Sequence, residues 1–151
     1  MPRETATAQA AKKRRPVDYS DSRWQIMEIY SKFRPPVRVL ALSHDQAKLK
    51  ARRALGVAWL EVTAVFVVNM YRVTCELDGA TLETEASGIN ETDARFYLAK
   101  RLIPKLPRFI SVEYISTLWE YNRSKGKGPN DLYAPEEQPE KTTETTTVAS
   151  L

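Results

Sequence analysis

The dipeptide Asp78-Gly79 separates two runs in which apolar and polar residues alternate, and no other feature constrains the fold as much. A two-residue turn that joins twisted strands needs positive φ at both central positions, which glycine adopts freely and aspartate tolerates. The pair predicts a β-hairpin and fixes its register. Leu77 then stands opposite Ala80, Cys75 opposite Leu82, Val73 opposite Thr84 and Tyr71 opposite Ala86. Tyr71, Val73, Cys75 and Leu77 fall on one face, while Arg72 and Glu85 meet on the other as an opposite-charge pair.

The flanking segments supply further elements. Ser20 or Asp21 caps an expected first helix, with Ile26, Ile29, Tyr30 and Phe33 at helical spacing and Pro35-Pro36 as its stop. Val37–Leu42 reads as a strand. Ser43 with Gln46 forms a capping-box pattern, opening a helix with Ala47, Ala51, Ala54 and Leu55 on its stripe and Gly56 at its end. Val57–Leu77 is β-prone but too long for one strand, so a break is expected near Asn69. Asn90 caps a helix with Ala94, Leu98 and Leu102 as its core stripe, joined by Tyr97 and stopped by Pro104 and Pro107. Phe109–Ser116 reads as the last strand, running on toward Trp119.

An internal echo orders these pieces. Ser43, Ala47, Ala51 and Leu55 recur 47 residues later as Asn90, Ala94, Leu98 and Leu102, each helix preceded and followed by a strand. Two βαβ halves around the Asp-Gly hairpin give the α+β arrangement βαββαβ called ferredoxin-like, here with an extra N-terminal helix. Right-handed crossovers would set both helices on one face of one sheet. Expected boundaries are a disordered basic arm over 1–18, one domain over 19–120, and a disordered acidic tail rich in Pro, Glu and Thr over 121–151. A bent antiparallel meander with a packed helix is the alternative fold.

Composition removes whole classes of chemistry. One cysteine, Cys75, allows no intramolecular disulfide and no cysteine-based zinc site; one histidine, His44, argues against triad or metal chemistry. Glu83 and Glu85 alternate with apolar residues and should face solvent, lacking the burial that tunes a general acid. No phosphate-binding glycine loop or nucleophile elbow occurs. The expectation is a non-enzyme with no cofactor and no metal. No apolar run is long enough to span a membrane and no secretory leader is visible, so an intracellular setting, nuclear or cytoplasmic, is expected.

Charge is segregated along the chain more than its net value of +4 suggests. Residues 34–55 carry six cations against Asp45 alone, residues 95–108 carry five and no acid, and residues 76–93 carry six acids and no base. The expected nucleic-acid-binding set is Arg38, Lys48, Lys50, Arg52 and Arg53 with Arg95, Lys100 and Arg101, cations gathered on helix faces to neutralise phosphates. Lys12, Lys13, Arg14 and Arg15 form a basic cluster readable as a nucleic-acid arm, a nuclear-import signal or a solubilising tail. Trp59, Phe109 and Tyr114 are expected first of all to fill a core or cover a domain edge, and stacking on bases, led by Trp59 and joined by Phe109 or Tyr114, is the alternative.

Residues Tyr71–Gly79 with Ala94–Leu102 resemble, distantly and over about a fifth of the chain, the second half of a double-stranded-RNA-binding domain. That family opens its helix with lysines, where this chain has Asn90, Glu91, Thr92 and Asp93. Acids there repel phosphate, so none of the family's binding residues carries over. The expected function is nucleic-acid binding, RNA ahead of DNA, as in a ribonucleoprotein or a viral or phage accessory factor. The alternative is a structural or adaptor protein acting through protein partners or self-association.

Overall fold

A computed structural model describes residues 17–135. In order, the chain forms β1 (Gln25–Ser31), β2 (Arg34–Ala41), α1 (His44–Leu55), β3 (Val62–Val67), β4 (Asn69–Leu77), β5 (Ala80–Gly88), α2 (Glu91–Leu102), β6 (Arg108–Thr117) and α3 (Leu118–Ser124). The protein is α+β, but its strands divide into two antiparallel sheets, ordered β2-β1-β3 and β5-β4-β6. Each half is therefore a ββαβ unit: a hairpin, then a helix, then a strand returning beside the hairpin's first strand. The single-sheet βαββαβ expectation is corrected, and the helical echo is the visible part of this longer repeat.

The expected first helix is where sequence and structure part. Residues 25–31 form the central strand of the first sheet, with Ile26, Met27, Glu28 and Ile29 all buried. A strand covered on both faces loses its alternation and reads as a continuous apolar run, so its spacing mimics a helix. Pro35 and Pro36 do not end a helix. They stand in edge strand β2, beside the register shift after Ile29, where a missing N–H disturbs no inner ladder.

The rest of the local chemistry follows the sequence closely. Asp78 and Gly79 both have positive φ, and the register of β4 on β5 is the expected one. Ser43 Oγ accepts from Gln46 N, and Asn90 Oδ1 from Asp93 N. Gly56 ends α1 at φ 68. The long β-prone stretch breaks at Val68, whose N–H donates to Ile26 O and whose carbonyl accepts from Leu118 N. These two bonds tie the sheets at one point, beneath a shared core of Trp24, Ile26, Leu40, Val68, Met70, Leu118 and Trp119. Each helix then covers a core of its own: Ala47 and Ala51 on Met27, Ile29 and Val39, and Ala94 and Leu98 on Tyr71, Val73 and Ala86.

The domain extends past the boundary expected at residue 120. Tyr121 and Asn122 of α3 are buried, and Ala134 lies fully inside the shared core. Arg38 explains much of this docking. Its guanidinium pairs with Glu28 at 3.2 Å, donates to Ser87 Oγ and Leu132 O, and lies 4.6 Å from the Tyr133 ring centroid. The arm with Lys12, Lys13, Arg14 and Arg15, and the tail after Pro135, lie outside the described residues.

Candidate nucleic-acid interface

Chain direction determines which side chains gather at one end of the first sheet. The helix α1 leaves the end of β2 and carries the chain back to the start of β3, which pairs beside Ser31 at the β1–β2 turn. Lys32 N donates to Glu61 O at 3.0 Å and Lys32 Nζ pairs with Glu61 at 3.2 Å, closing the loop before β3 against the hairpin tip. One pole therefore holds the tip residues Phe33 and Arg34, the last turn of α1 with Arg52 and Arg53, and the loop bearing Trp59.

The pole is rich in exposed aromatic and cationic groups. Phe33 is 99% exposed and Trp59 72% exposed. Arg34, Lys48, Arg52 and Arg53 are exposed, and among the described residues none of the four forms a salt bridge. Arg52 and Arg53 also complement the C-terminal end of the α1 dipole, which stabilises the helix and leaves both guanidinium groups facing solvent. Asp45 is the only acidic residue of α1, and it sits in the opposite, first turn.

The expected binding set is only partly assembled. Lys48, Arg52 and Arg53 lie together on the outer surface of α1. Arg38 is inside the molecule and its charge is spent on Glu28. Lys50 turns inward, donating to Leu40 O at 2.6 Å above the Trp24 ring; burial, and then the charge of Arg53, hold its pKa below the ordinary lysine value. Arg101 reaches back to Glu85 O. Arg95 approaches Thr92, and Lys100 lies over the rings of Phe96 and Tyr97.

These last residues do not join the α1 cations. Tyr30, on the face of β1 turned away from α1, feels the charge of Asp93 and the neighbouring Tyr97 from α2. The two helices cover different sheets, α1 the first and α2 the second, and the one-faced basic surface expected from both on a single sheet is corrected. Burial, and then its hydrogen bond to Glu28, raise the Tyr30 phenol above its usual pKa.

The second half neutralises part of its charge. Lys105 pairs with Asp78 at 2.7 Å, Arg108 with Glu76 at 2.6 Å and Arg72 with Glu113 at 3.3 Å. The basic run 95–108 and the acidic run 76–93 thus meet within one chain. Arg72 and Glu85 share the expected register, but the guanidinium turns to β6. Arg72, Glu83, Thr84 and Glu85 line a shallow polar hollow of about 270 Å³. Cys75 is fully buried, with its thiol pushed up by burial, and His44 is exposed. Among the described residues no group of three His, Cys, Asp or Glu could hold a metal, and no helix is long and apolar enough to cross a membrane.

Sequence reasoning placed Trp59 on a strand, whereas it occupies the loop before β3; Phe109 packs on the α2 core, and half-exposed Tyr114 belongs to the other sheet. It missed Phe33 and Arg34 as tip residues because the segment read as helix. A usable signal was present: Val37–Leu42 needs a partner strand, and Lys32-Phe33 is the short link to the nearest apolar run.

The hairpin-then-helix order behind the likeness to a double-stranded-RNA-binding domain exists in β4, β5 and α2. Comparison with protein-family models, curated proteins and solved structures finds no match for the chain.

Proposed function

We propose that this chain is a non-enzymatic nucleic-acid-binding protein, with RNA ahead of DNA, that grips phosphates with the outer face of α1. The observation that carries the reading is the exposed, unneutralised trio Lys48, Arg52 and Arg53 on one helix, with Arg34 at the same pole. By contrast, Arg38, Arg72, Lys105 and Arg108 are each paired with a carboxylate. Each phosphate neutralised releases condensed counterions, which makes the affinity depend steeply on salt.

The test is a salt titration of binding by the full chain to single-stranded and duplex RNA and DNA, with and without Lys48→Glu, Arg52→Glu and Arg53→Glu together. Log affinity should fall linearly with log salt, and the triple reversal should make that slope shallower by roughly 2. Loss of all binding at low salt in the unmodified chain, or an unchanged slope in the triple variant, would overturn the assignment to α1.

One observation favours a second reading, a protein-binding adaptor. Ile103, Leu106, Ile110 and Tyr114 are 71, 92, 51 and 55% exposed along the loop after α2 and the edge strand β6. Apolar side chains beside an open strand edge suit a protein partner. A discrete oligomer that dissociates on Leu106→Glu would support it.

A further inference from the structure

We infer that the α1 pole takes a single strand with unpaired bases, Phe33 and Trp59 acting as stacking platforms between the cations; this rests on the nucleic-acid reading above. The conformation of Phe33 points most directly to such a ligand. It has φ 63, in the left-handed region where a bulky residue is strained, at a hairpin tip that glycine or asparagine would fill without cost. A strained phenylalanine that buried its ring would be explained by the core. This ring is 99% exposed and covers nothing. Trp59 repeats the anomaly from the adjoining loop at 72% exposed, whereas Trp24 and Trp119 are buried at 6% and 4%.

Charge complementarity identifies the occupant. Arg34 follows Phe33 directly, and Arg52 and Arg53 precede Trp59 across the α1 cap, so each ring has exposed cations near it along the chain, and the Lys32–Glu61 pair holds the loop of Trp59 against the tip. Backbone-tracking cations interleaved with exposed rings suit single strands, because every unpaired base offers a π face and stacking tolerates any sequence. In a duplex those faces are already stacked, leaving only the phosphate contacts.

The three tryptophans make the test direct. The full chain is titrated with a single-stranded oligonucleotide and with its blunt duplex while tryptophan emission is followed. Emission should be quenched by the single strand, and the quench should vanish in Trp59→Phe because the other two indoles are buried. Phe33→Gly, which keeps the turn, and Trp59→Ala should each lower single-strand affinity by about tenfold, leaving duplex affinity and the salt slope unchanged. Equal or tighter duplex binding overturns the inference, since Phe33 would then act as a wedge between paired bases. Unchanged single-strand affinity in both variants also overturns it; if the triple α1 reversal still weakens binding, the phosphate grip stands and only the base platforms fall.

Discussion

The two ββαβ halves share a topology and differ most at corresponding ends. In the second, the tip is Asp78-Gly79, residues suited to positive φ, and the nearby cations Lys105 and Arg108 are matched by Asp78 and Glu76. In the first, the tip places Phe33 in the left-handed region, and the helix ends in Arg52 and Arg53 without carboxylate partners. The second half keeps the rule of turn chemistry, although α2, like α1, ends in cations without carboxylate partners among the described residues, Lys100 and Arg101. The first breaks the turn rule at the pole that also holds Arg52 and Arg53, and local rules are most often broken where function needs it. A stable scaffold in duplicate thus lets one copy carry exposed, unfavourable groups.

The largest expected effect separates a buried cation of the first half from an exposed one of the second. Arg38→Ala should cost about 3 to 5 kcal/mol, because it strands Glu28 as a buried, unpaired carboxylate. Arg72→Ala, which breaks an exposed pair in the second half, should cost no more than about 1 kcal/mol. Chemical denaturation of both variants checks this. An Arg38→Ala protein as stable as the parent would mean that the junction is not held by this ion pair. Replacing Glu28 by Leu and Arg38 by Met together should recover part of the loss.

That contrast also shows what could be read from sequence alone. The turn at Asp78-Gly79, the caps Ser43 and Asn90, the stop at Gly56 and the break beside Asn69 depend on neighbouring residues and are legible. Strand β1 is not, because its burial on both faces comes from partners that stand on either side only after folding. Misreading it hid the first hairpin, and with it Phe33 and Arg34. Lys48, Arg52 and Arg53 were legible as a basic helix face because an amphipathic stripe determines which side is free. Arg38 was not, since Glu28, Ser87 and Tyr133 reach it from distant parts of the chain. The charge blocks over 76–93 and 95–108 looked like surfaces for outside partners, whereas β4 and β6 bring them together.

A smaller effect tests how alike the halves are at the strand-to-helix junction. Ala41 ends β2 and Gly88 ends β5, each two residues before its helix cap, and both are buried. A methyl group fits at the first position. At the second, a Cβ would lie 2.6 Å from Ala94 N, a backbone atom that cannot turn aside, so α2 sits closer to its sheet than α1 does. Gly88→Ala should destabilise by about 1 to 3 kcal/mol through overpacking, and Ala41→Gly by roughly 1 to 2 kcal/mol through backbone entropy and the loss of a buried methyl. A neutral Gly88→Ala in thermal unfolding would show that α2 shifts outward freely, and that the halves pack alike.

The smallest effects bear most directly on the comparison, because they exchange the tips. Left-handed backbone costs a residue with a side chain about 1 to 2 kcal/mol. Phe33→Gly should therefore stabilise the first half by up to about 1 kcal/mol, the gain reduced by the greater entropy of glycine when unfolded. Gly79→Phe should cost about 1 to 2 kcal/mol at φ 81, with open space around the new side chain and so no steric clash to add. Opposite signs for the two substitutions in equilibrium unfolding would establish that the phenylalanine is tolerated at the expense of stability. Should Phe33→Gly instead destabilise, the ring contributes to folding, and the case that it is held out for a ligand loses its physical basis.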